Sequence, residues 1–301
     1  PMDPDSYLSW KSGCPKICIL LPVRCCMSLN LFFELSTALL YFLASVIYVA
    51  GVLGANSSLK KVALWALGLG FLLHSLDLIL NLASNPAFAA SQGHFYISLL
   101  AWTFLLLYLL VWWRLKIHFL ALTAAPLALI LFSSSMLVHT PTIAVPAQLS
   151  GLWFSLHIAA LFVSIALLAL AFGAGICYRY VDWQIKHKTK PGRLRKDFPA
   201  LLSCDRINHW AVSVGFPLFT IGMLAGFLWA DFTWDQAFSW DPKELSSVII
   251  WFLFAFLFYQ RLALGWKGRK PANLASWIFV LCLVSMVVIN FFLPTHHSLR
   301  P

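Results

Sequence analysis

The sequence predicts an all-α, polytopic integral membrane protein with about eight transmembrane helices and both termini on the outer, periplasmic side. Two observations predict this class. Of the 301 residues, 61% are hydrophobic and only 11% are charged, whereas about a quarter of the residues of a soluble domain are charged. The hydrophobic residues also form continuous runs, and a helix is the element that satisfies its own backbone hydrogen bonds in lipid.

Eight runs from Met27 onward approach the roughly 20 apolar residues that a spanning helix needs. The fourth run contains Pro126 and is followed by Pro141 and Pro146, in a stretch that predicts a loop. The eight predicted spans cover residues 31–54, 62–82, 95–113, 117–134, 153–178, 210–229, 245–262 and 274–293.

The distribution of basic residues predicts the orientation. One set of alternate gaps between the runs holds sixteen Lys and Arg residues, whereas the other set, with residues 1–26 left out and the C-terminal end included, holds only Lys243 and Arg300. Because basic residues concentrate on the cytoplasmic side, both termini are expected on the opposite side. The net charge of +10 therefore reflects topology, and no nucleic-acid partner is predicted, since that would need a basic soluble face. The loops expected outside are 83–94, 135–152 and 230–244.

Residues 1–26 are interpreted as an N-terminal appendage to a single membrane domain over residues 27–301. Their apolar patch contains Pro22 and is too short to span a bilayer. Two interpretations stay open, an upstream extension before a start at Met27 and a disordered or interfacial tail. The seven cysteines include no C-x-x-C pair, so neither a thioredoxin-like dithiol nor a zinc knuckle is predicted.

One predicted outer connection, WADFTWDQAFSWDPKE at residues 229–244, combines aromatic and acidic residues. Tryptophan at a membrane boundary ordinarily belongs to an aromatic belt. Trp229, Trp234 and Trp240 differ because they share this one connection with Phe238, interleaved with acids. Aromatic faces separated by polar turns can form a flat apolar platform for a planar ligand.

The predicted topology brings three histidines to the level of this connection. His157 lies near the outer end of the fifth span, and His296 and His297 follow the eighth. Neutral histidine is a common metal ligand, and two histidines from separate helix ends can hold a haem iron from both sides. A histidine at a helix end is also an ordinary interfacial residue, so both interpretations stay open at this point.

The stretch WADFTWDQAFSWDPKELSSVIIW, from Trp229 to Trp251, resembles the tryptophan-rich WWD signature of the cytochrome c assembly family of CcsA, CcmC and HemX type. The similarity extends to LHIAAL, VGFPLFTIGMLAG and RLALGWKGRKPANLAS and covers the C-terminal half in detail. Within the family, the chain is most similar to stand-alone, CcsA-like members such as HemX and YpjD.

The resemblance implies that the WWD segment presents a non-covalent, b-type haem at the outer face. It implies His157 and His297 as axial ligands of the haem iron, with His296 as a competitor for the second position. The haem is expected to be bound transiently. The residues implied for the rest of the site are Trp229, Trp234, Phe238, Trp240 and Asp241.

Two residues within the spans are weaker candidates for the site. CcsA proteins that act in haem ligation carry a membrane-embedded histidine at the position of Tyr259. The intramembrane histidine of this chain is His74, with Asp77 nearly one turn further on. An ionisable residue within a span is a functional candidate by default, so His74 has either a haem or quinone role or a hydrogen bond to a neighbouring helix.

Three functions are compatible with these observations. The leading hypothesis is a haem-binding protein of the bacterial inner membrane that handles haem for cytochrome c assembly, with assembly proteins and the bilayer as partners. The second is a regulatory or scaffolding protein of the same fold without haem chemistry. The third is a small-molecule transporter. No catalytic residue is predicted, because a protein that only holds haem performs no bond chemistry. The chain by itself is not expected to be a complete cytochrome c synthase.

Overall fold

The computed structural model describes residues 23–54, 56–84, 93–115, 120–137, 152–187, 200–234, 238 and 240–292. The regular structure of these residues is α-helical, with no strand among them. In chain order the helices are α1 Val23–Leu53, α2 Ser57–Ser84, α3 Gly93–Leu115, α4 Ala121–Leu137, α5 Leu152–Lys186, α6 Leu201–Trp234, α7 Pro242–Leu262 and α8 Arg269–Phe292.

These helices confirm the predicted class, an all-helical multi-pass membrane protein. Six of them, α1, α2, α3, α5, α6 and α7, are long and apolar enough to cross a membrane. The apolar part of α4, Ala121–Met136, is shorter, and α8 is not among the six. The count of eight spans and the side on which the termini lie stay predictions.

The chain divides into two compact units, each described here by itself. Unit 1 comprises residues 1–102 and 125–144. Within it, α1 and α2 pack against each other. A Cβ atom on Gly70 of α2 would lie 2.7 Å from the ring of Tyr41 on α1, so a glycine is needed for this close approach. Small residues at helix contacts allow such packing in lipid.

Unit 2 comprises residues 103–124 and 145–301. Its main contact is between α5 and α6, which run antiparallel, and α8 packs against α5 and α7. The hydroxyl of Ser164 donates to the carbonyl oxygen of Gly215 at 2.7 Å, and the amide of Asn208 donates to that of Ala171 at 2.9 Å. These bonds fix the register of α5 on α6 by using side chains that would otherwise be buried without partners.

Both α5 and α6 extend beyond the spans predicted from hydropathy, 153–178 and 210–229. They contain 35 and 34 residues, more than the roughly 20 that cross a hydrocarbon core. Hydropathy reports only the apolar part of a helix, whereas the backbone hydrogen bonds continue into the polar ends. The added turns carry Asp205 and Asn208, which contribute contacts that the spans alone do not contain.

The connection predicted over residues 229–244 is shorter than expected, so this prediction is wrong at both ends. Residues 229–234 belong to the last turns of α6, and α7 begins at Pro242. The connection ends early because residues 241–244 carry the signals that start a helix. Asp241 is the N-cap, and its side chain accepts a hydrogen bond from the backbone nitrogen of Lys243 at 2.8 Å. Proline and an acidic residue, Glu244, then occupy the first turn, where both are favoured.

Candidate functional site

The imidazole of His157 is oriented by the backbone of α6. It lies in the second turn of α5, and its Nδ1 atom is 2.7 Å from the carbonyl oxygen of Gly222. A carbonyl oxygen only accepts hydrogen bonds, so Nδ1 carries the proton and donates it. The Nε2 atom is then left with its lone pair, which is the arrangement that metal-binding histidines share.

Two glycines one helical turn apart make room for this histidine. A Cβ atom on Gly226 would collide with Nδ1 of His157. A Cβ atom on Gly222 would lie 2.8 Å from Cγ of Leu161, the residue one turn after His157 on α5. The pair Gly222 and Gly226 therefore lets the imidazole lie directly against the backbone of α6.

Aromatic side chains surround this end of the α5–α6 pair. The rings of Phe154 and Trp229 are 5.0 Å apart between centroids, one turn from His157 and Gly226 respectively. Phe238 contacts Trp240, with ring centroids 5.1 Å apart, in an edge-to-face arrangement. Aromatic pairs of this geometry are favourable. Phe238 also contacts Phe227, the residue after Gly226, with ring centroids 5.9 Å apart. The two pairs, which both contact the end of α6 within unit 2, are together called the aromatic cluster: Phe154, Trp229, Phe238 and Trp240.

Trp240 combines exposure with an unusual backbone. Its side chain is 77% exposed, and its φ is +60°, a region that residues other than glycine seldom adopt. Asp241, the next residue, is buried and caps α7. Asp241 therefore stabilises the start of α7, and this helix start holds the backbone of Trp240 next to it.

Part of the predicted site lies outside the described residues. His296 and His297 are beyond Phe292, so the structure does not describe their positions. Trp234 is the last residue of α6, and its side chain is also outside the described part. The described half of the site thus consists of His157, its two glycines and the aromatic cluster.

The two weaker candidates, Tyr259 and His74, have different surroundings. Tyr259 lies on α7 and is 56% exposed. His74 lies in unit 1 and is fully buried. Its Nδ1 is hydrogen-bonded to the hydroxyl of Tyr41 at 3.0 Å and its Nε2 to that of Ser98 at 2.8 Å. Because both ring nitrogens have partners on neighbouring helices, this imidazole offers iron no free nitrogen in this arrangement.

Sequence reasoning missed the two glycines that position His157. They stand in the segment GMLAG of α6, which has the spacing G-x-x-x-G within an apolar run. That spacing is a known signal for close helix contacts in membranes. The spacing indicates that this face of α6 contacts another helix. It does not indicate which residue makes the contact, because His157 lies on α5.

The fold and the site define a class: a multi-pass helical membrane protein with a histidine and an aromatic cluster at one end of its longest helix pair. Residues 92–297 match the family model described as Cytochrome C assembly protein. The chain belongs to the cytochrome c assembly protein family, and within it is CcsA-like.

Three relatives illustrate the similarity. A protein named cytochrome c biogenesis protein CcsA from Chlorella vulgaris is 29% identical over 300 residues, covering 89% of this chain and 95% of that protein. Its namesake from Chlamydomonas reinhardtii is 30% identical over 261 residues, or 82% and 72% of the two chains. That from Gloeobacter violaceus is 42% identical over 94 residues, or 31% and 28%.

Proposed function

We propose that this protein acts in cytochrome c biogenesis by binding haem and presenting it at the outer face of the membrane. The observation that carries the proposal is the hydrogen bond from Nδ1 of His157 to the carbonyl of Gly222. This bond leaves Nε2 as the free ligand atom, and a bond of this kind raises the basicity of a ligand imidazole. The family membership of the chain supports the same function.

The residues present fit a haem. His157 would hold the haem iron through Nε2, and His297, or His296 next to it, would provide the second histidine. The aromatic cluster, together with Trp234, provides apolar surface for the porphyrin, and the exposed ring of Trp240 is available for such a contact. The bound haem supplies the iron porphyrin that a cytochrome c needs, whereas this chain only holds and orients it.

The setting of this function is the bacterial inner membrane. The many apolar helices support a multi-pass membrane protein, and the basic residues of the predicted cytoplasmic gaps support an outer WWD segment. Bound haem is b-type, non-covalent and transient, and cytochrome c assembly proteins receive it. No bond chemistry is assigned to this chain by itself.

A second candidate function is a scaffold of the same fold without haem chemistry. It is favoured by Tyr259, which stands where haem-ligating CcsA proteins have a membrane histidine and which is 56% exposed. The visible absorption spectrum of the purified protein separates the two functions, because a scaffold is colourless when purified from cells that contain ample haem.

The test is the visible absorption spectrum of the protein purified in mild detergent from haem-replete cells. We expect a low-spin, bis-histidine haem spectrum in the oxidised and reduced states. The spectrum should be lost in the double variant His157→Ala, His297→Ala. The matched control is His209→Ala, which removes an exposed histidine from α6 and should leave the spectrum unchanged.

Loss of colour through misfolding is recognised by a rescue experiment. His157→Gly leaves a space that free imidazole can enter, so added imidazole should restore the low-spin band. A colourless wild-type preparation, or a double variant that keeps the bis-histidine spectrum, contradicts the proposal.

A further inference from the structure

Unit 1 contains a small polar cavity between its helices that the proposed function does not use. The cavity has room for about one water molecule, which is too little for a quinone ring. Apolar residues complete its wall, among them Phe132 and Leu78. The polar side chains that line it are Glu34, Asp77, Asn81, His94, Ser98 and Ser135.

The cavity belongs to a polar face that α1 turns toward the interior of unit 1. Glu34, Thr37, Tyr41 and Ser45 follow one another at intervals of three or four residues, so they share one side of the helix. Thr37, Tyr41 and Ser45 are buried and Glu34 is half-buried. An apolar span with a buried polar stripe is expensive in lipid and marks a functional surface.

Two carboxyl groups meet at this cavity inside membrane spans. Glu34 lies in the span Leu31–Leu53, and Asp77 lies in the span Ser57–Ala83 and is only 6% exposed. The amide of Asn81 donates a hydrogen bond to Oδ1 of Asp77 at 3.2 Å. No Lys or Arg is among the described residues that line it.

Two negative charges at one site between apolar helices are strongly unfavourable. The titratable residue that α3 contributes to the lining is His94, and α4 contributes Ser135 and Phe132. Charge balance therefore requires a proton on the carboxyl groups, a charged His94 or a bound cation. Among the described residues, no group of three His, Cys, Asp or Glu side chains is placed to hold a metal ion.

We propose that this cavity is a proton-binding site, in which Glu34 and Asp77 together hold one exchangeable proton. The site connects to a hydrogen-bonded chain. Ser98 lines the cavity and is bonded to Nε2 of His74, whose Nδ1 is bonded to the hydroxyl of Tyr41. The chain gives the proton a route of hydroxyl and imidazole groups from the cavity into the interior of unit 1.

The test is infrared spectroscopy of the full-length protein in detergent at neutral pH, in H₂O and in D₂O. We expect a carbonyl band of a protonated carboxyl group that shifts in D₂O and disappears reversibly at alkaline pH. Asp77→Asn should abolish the band. Glu34→Gln should shift its frequency, because the neighbouring group changes. The matched control is Asp182→Asn, which alters a carboxylate paired with Lys186 and should leave the band unchanged.

Several results would overturn the proposal. The absence of the band in wild type means that both carboxyl groups are ionised, as they would be beside a charged His94. A band that appears only when sodium and potassium are replaced by a large organic cation means that the cavity holds a metal cation. A band that persists in Asp77→Asn assigns the proton to another group.

A wild-type experiment covers the case in which the variants do not fold. A protonated carboxyl group adds across one C=N bond of a hydrophobic carbodiimide, so that its oxygen bonds to the central carbon and its proton moves to a nitrogen. The acyl group then shifts from this oxygen to the other nitrogen, which breaks the acyl C–O bond and leaves a stable N-acylurea. We expect the label on Asp77 or Glu34 and not on Asp182, as read by mass spectrometry of the peptides. Equal labelling of all three residues contradicts a selectively protonated site.

Discussion

At the residue scale, the position of His157 depends on two glycines of another helix. The carbonyl oxygen of Gly222 accepts a hydrogen bond from Nδ1 of His157, and Gly226 leaves the space in which the imidazole lies. When a group that hydrogen-bonds the second ring nitrogen of a ligand histidine is altered, metal affinity commonly falls by about 10- to 100-fold. Gly226 is therefore a positioning residue for the proposed haem ligand.

The first prediction concerns Gly226→Ala. The added methyl group displaces the ring of His157 and breaks its bond to Gly222, because the Cβ atom would collide with Nδ1. We expect roughly a 10-fold weaker affinity for haem, measured by titration of haem into the purified protein and followed by absorbance.

The control is Gly68→Ala in α2, where an added Cβ atom has nothing within 4 Å. This change should leave haem affinity the same, and it should stabilise α2 slightly because alanine has the higher helix propensity. Equal affinity in wild type and Gly226→Ala would show that the hydrogen bond to Gly222 does not position the ligand.

At the element scale, one arginine joins α6 to α7 and to the turn before α8. The Nη1 atom of Arg261 donates to Oδ1 of Asp205 at 3.0 Å and to the carbonyl of Trp266 at 3.1 Å. Its Nη2 atom donates to the carbonyl of Asp205 and to the side chain of Asn208. The backbone nitrogen of Gly268 donates to the same carboxylate. The buried guanidinium of Arg261 thus donates hydrogen bonds that hold α7, the first turns of α6 and the turn before α8 together.

The second prediction is that Arg261→Ala destabilises the protein strongly. The side chain of Arg261 is 1% exposed and that of Asp205 13% exposed, so the change leaves a nearly buried carboxylate without its counter-ion. We expect a loss of roughly 3 kcal/mol in the free energy of unfolding, seen as a lower midpoint of thermal unfolding in detergent.

The matched control is Lys186→Ala, which breaks the ion pair between Lys186 and Asp182 on the surface of α5. The lysine side chain is 57% exposed, and exposed pairs at this spacing contribute only about 0.3–0.5 kcal/mol. If both changes lower the midpoint equally, the contacts of Arg261 are not what joins these helices.

At the scale of the whole molecule, the orientation in the membrane decides where haem would be presented. The asymmetry of Lys and Arg predicts that the WWD segment and both termini lie outside. The helices bring His157 and the aromatic cluster to the same end of the α5–α6 pair. One orientation therefore places all the described parts of the candidate site on one side of the membrane.

The third prediction is that a reporter enzyme active only outside the cytoplasm is active when fused after Pro301. The same reporter inserted after His187, in a predicted cytoplasmic gap rich in basic residues, should be inactive. The reverse pattern would place the WWD segment in the cytoplasm and contradict haem presentation at the outer face.

The sequence predicted the class of the molecule and the approximate position of each described helix, because both follow from local hydropathy. The sequence-based bounds of the connection over residues 229–244 were wrong. Asp241, Pro242 and Glu244 suggested a polar loop, but they form the N-cap and first turn of α7. The sequence also left His74 undecided between a ligand and a helix contact. Its two hydrogen-bond partners lie 33 and 24 residues away in the chain, a distance that no local pattern covers.

By itself, the sequence determined a helical membrane protein, and it predicted a tryptophan-rich segment and histidines as candidate haem ligands. Only the tertiary structure decided which nitrogen of His157 is free, which glycines give it room and that Glu34 and Asp77 meet at one cavity. The physical reason is that transfer into lipid depends on the composition of each segment alone. Contacts between helices in lipid depend instead on close packing and on hydrogen bonds between side chains that are distant in the chain.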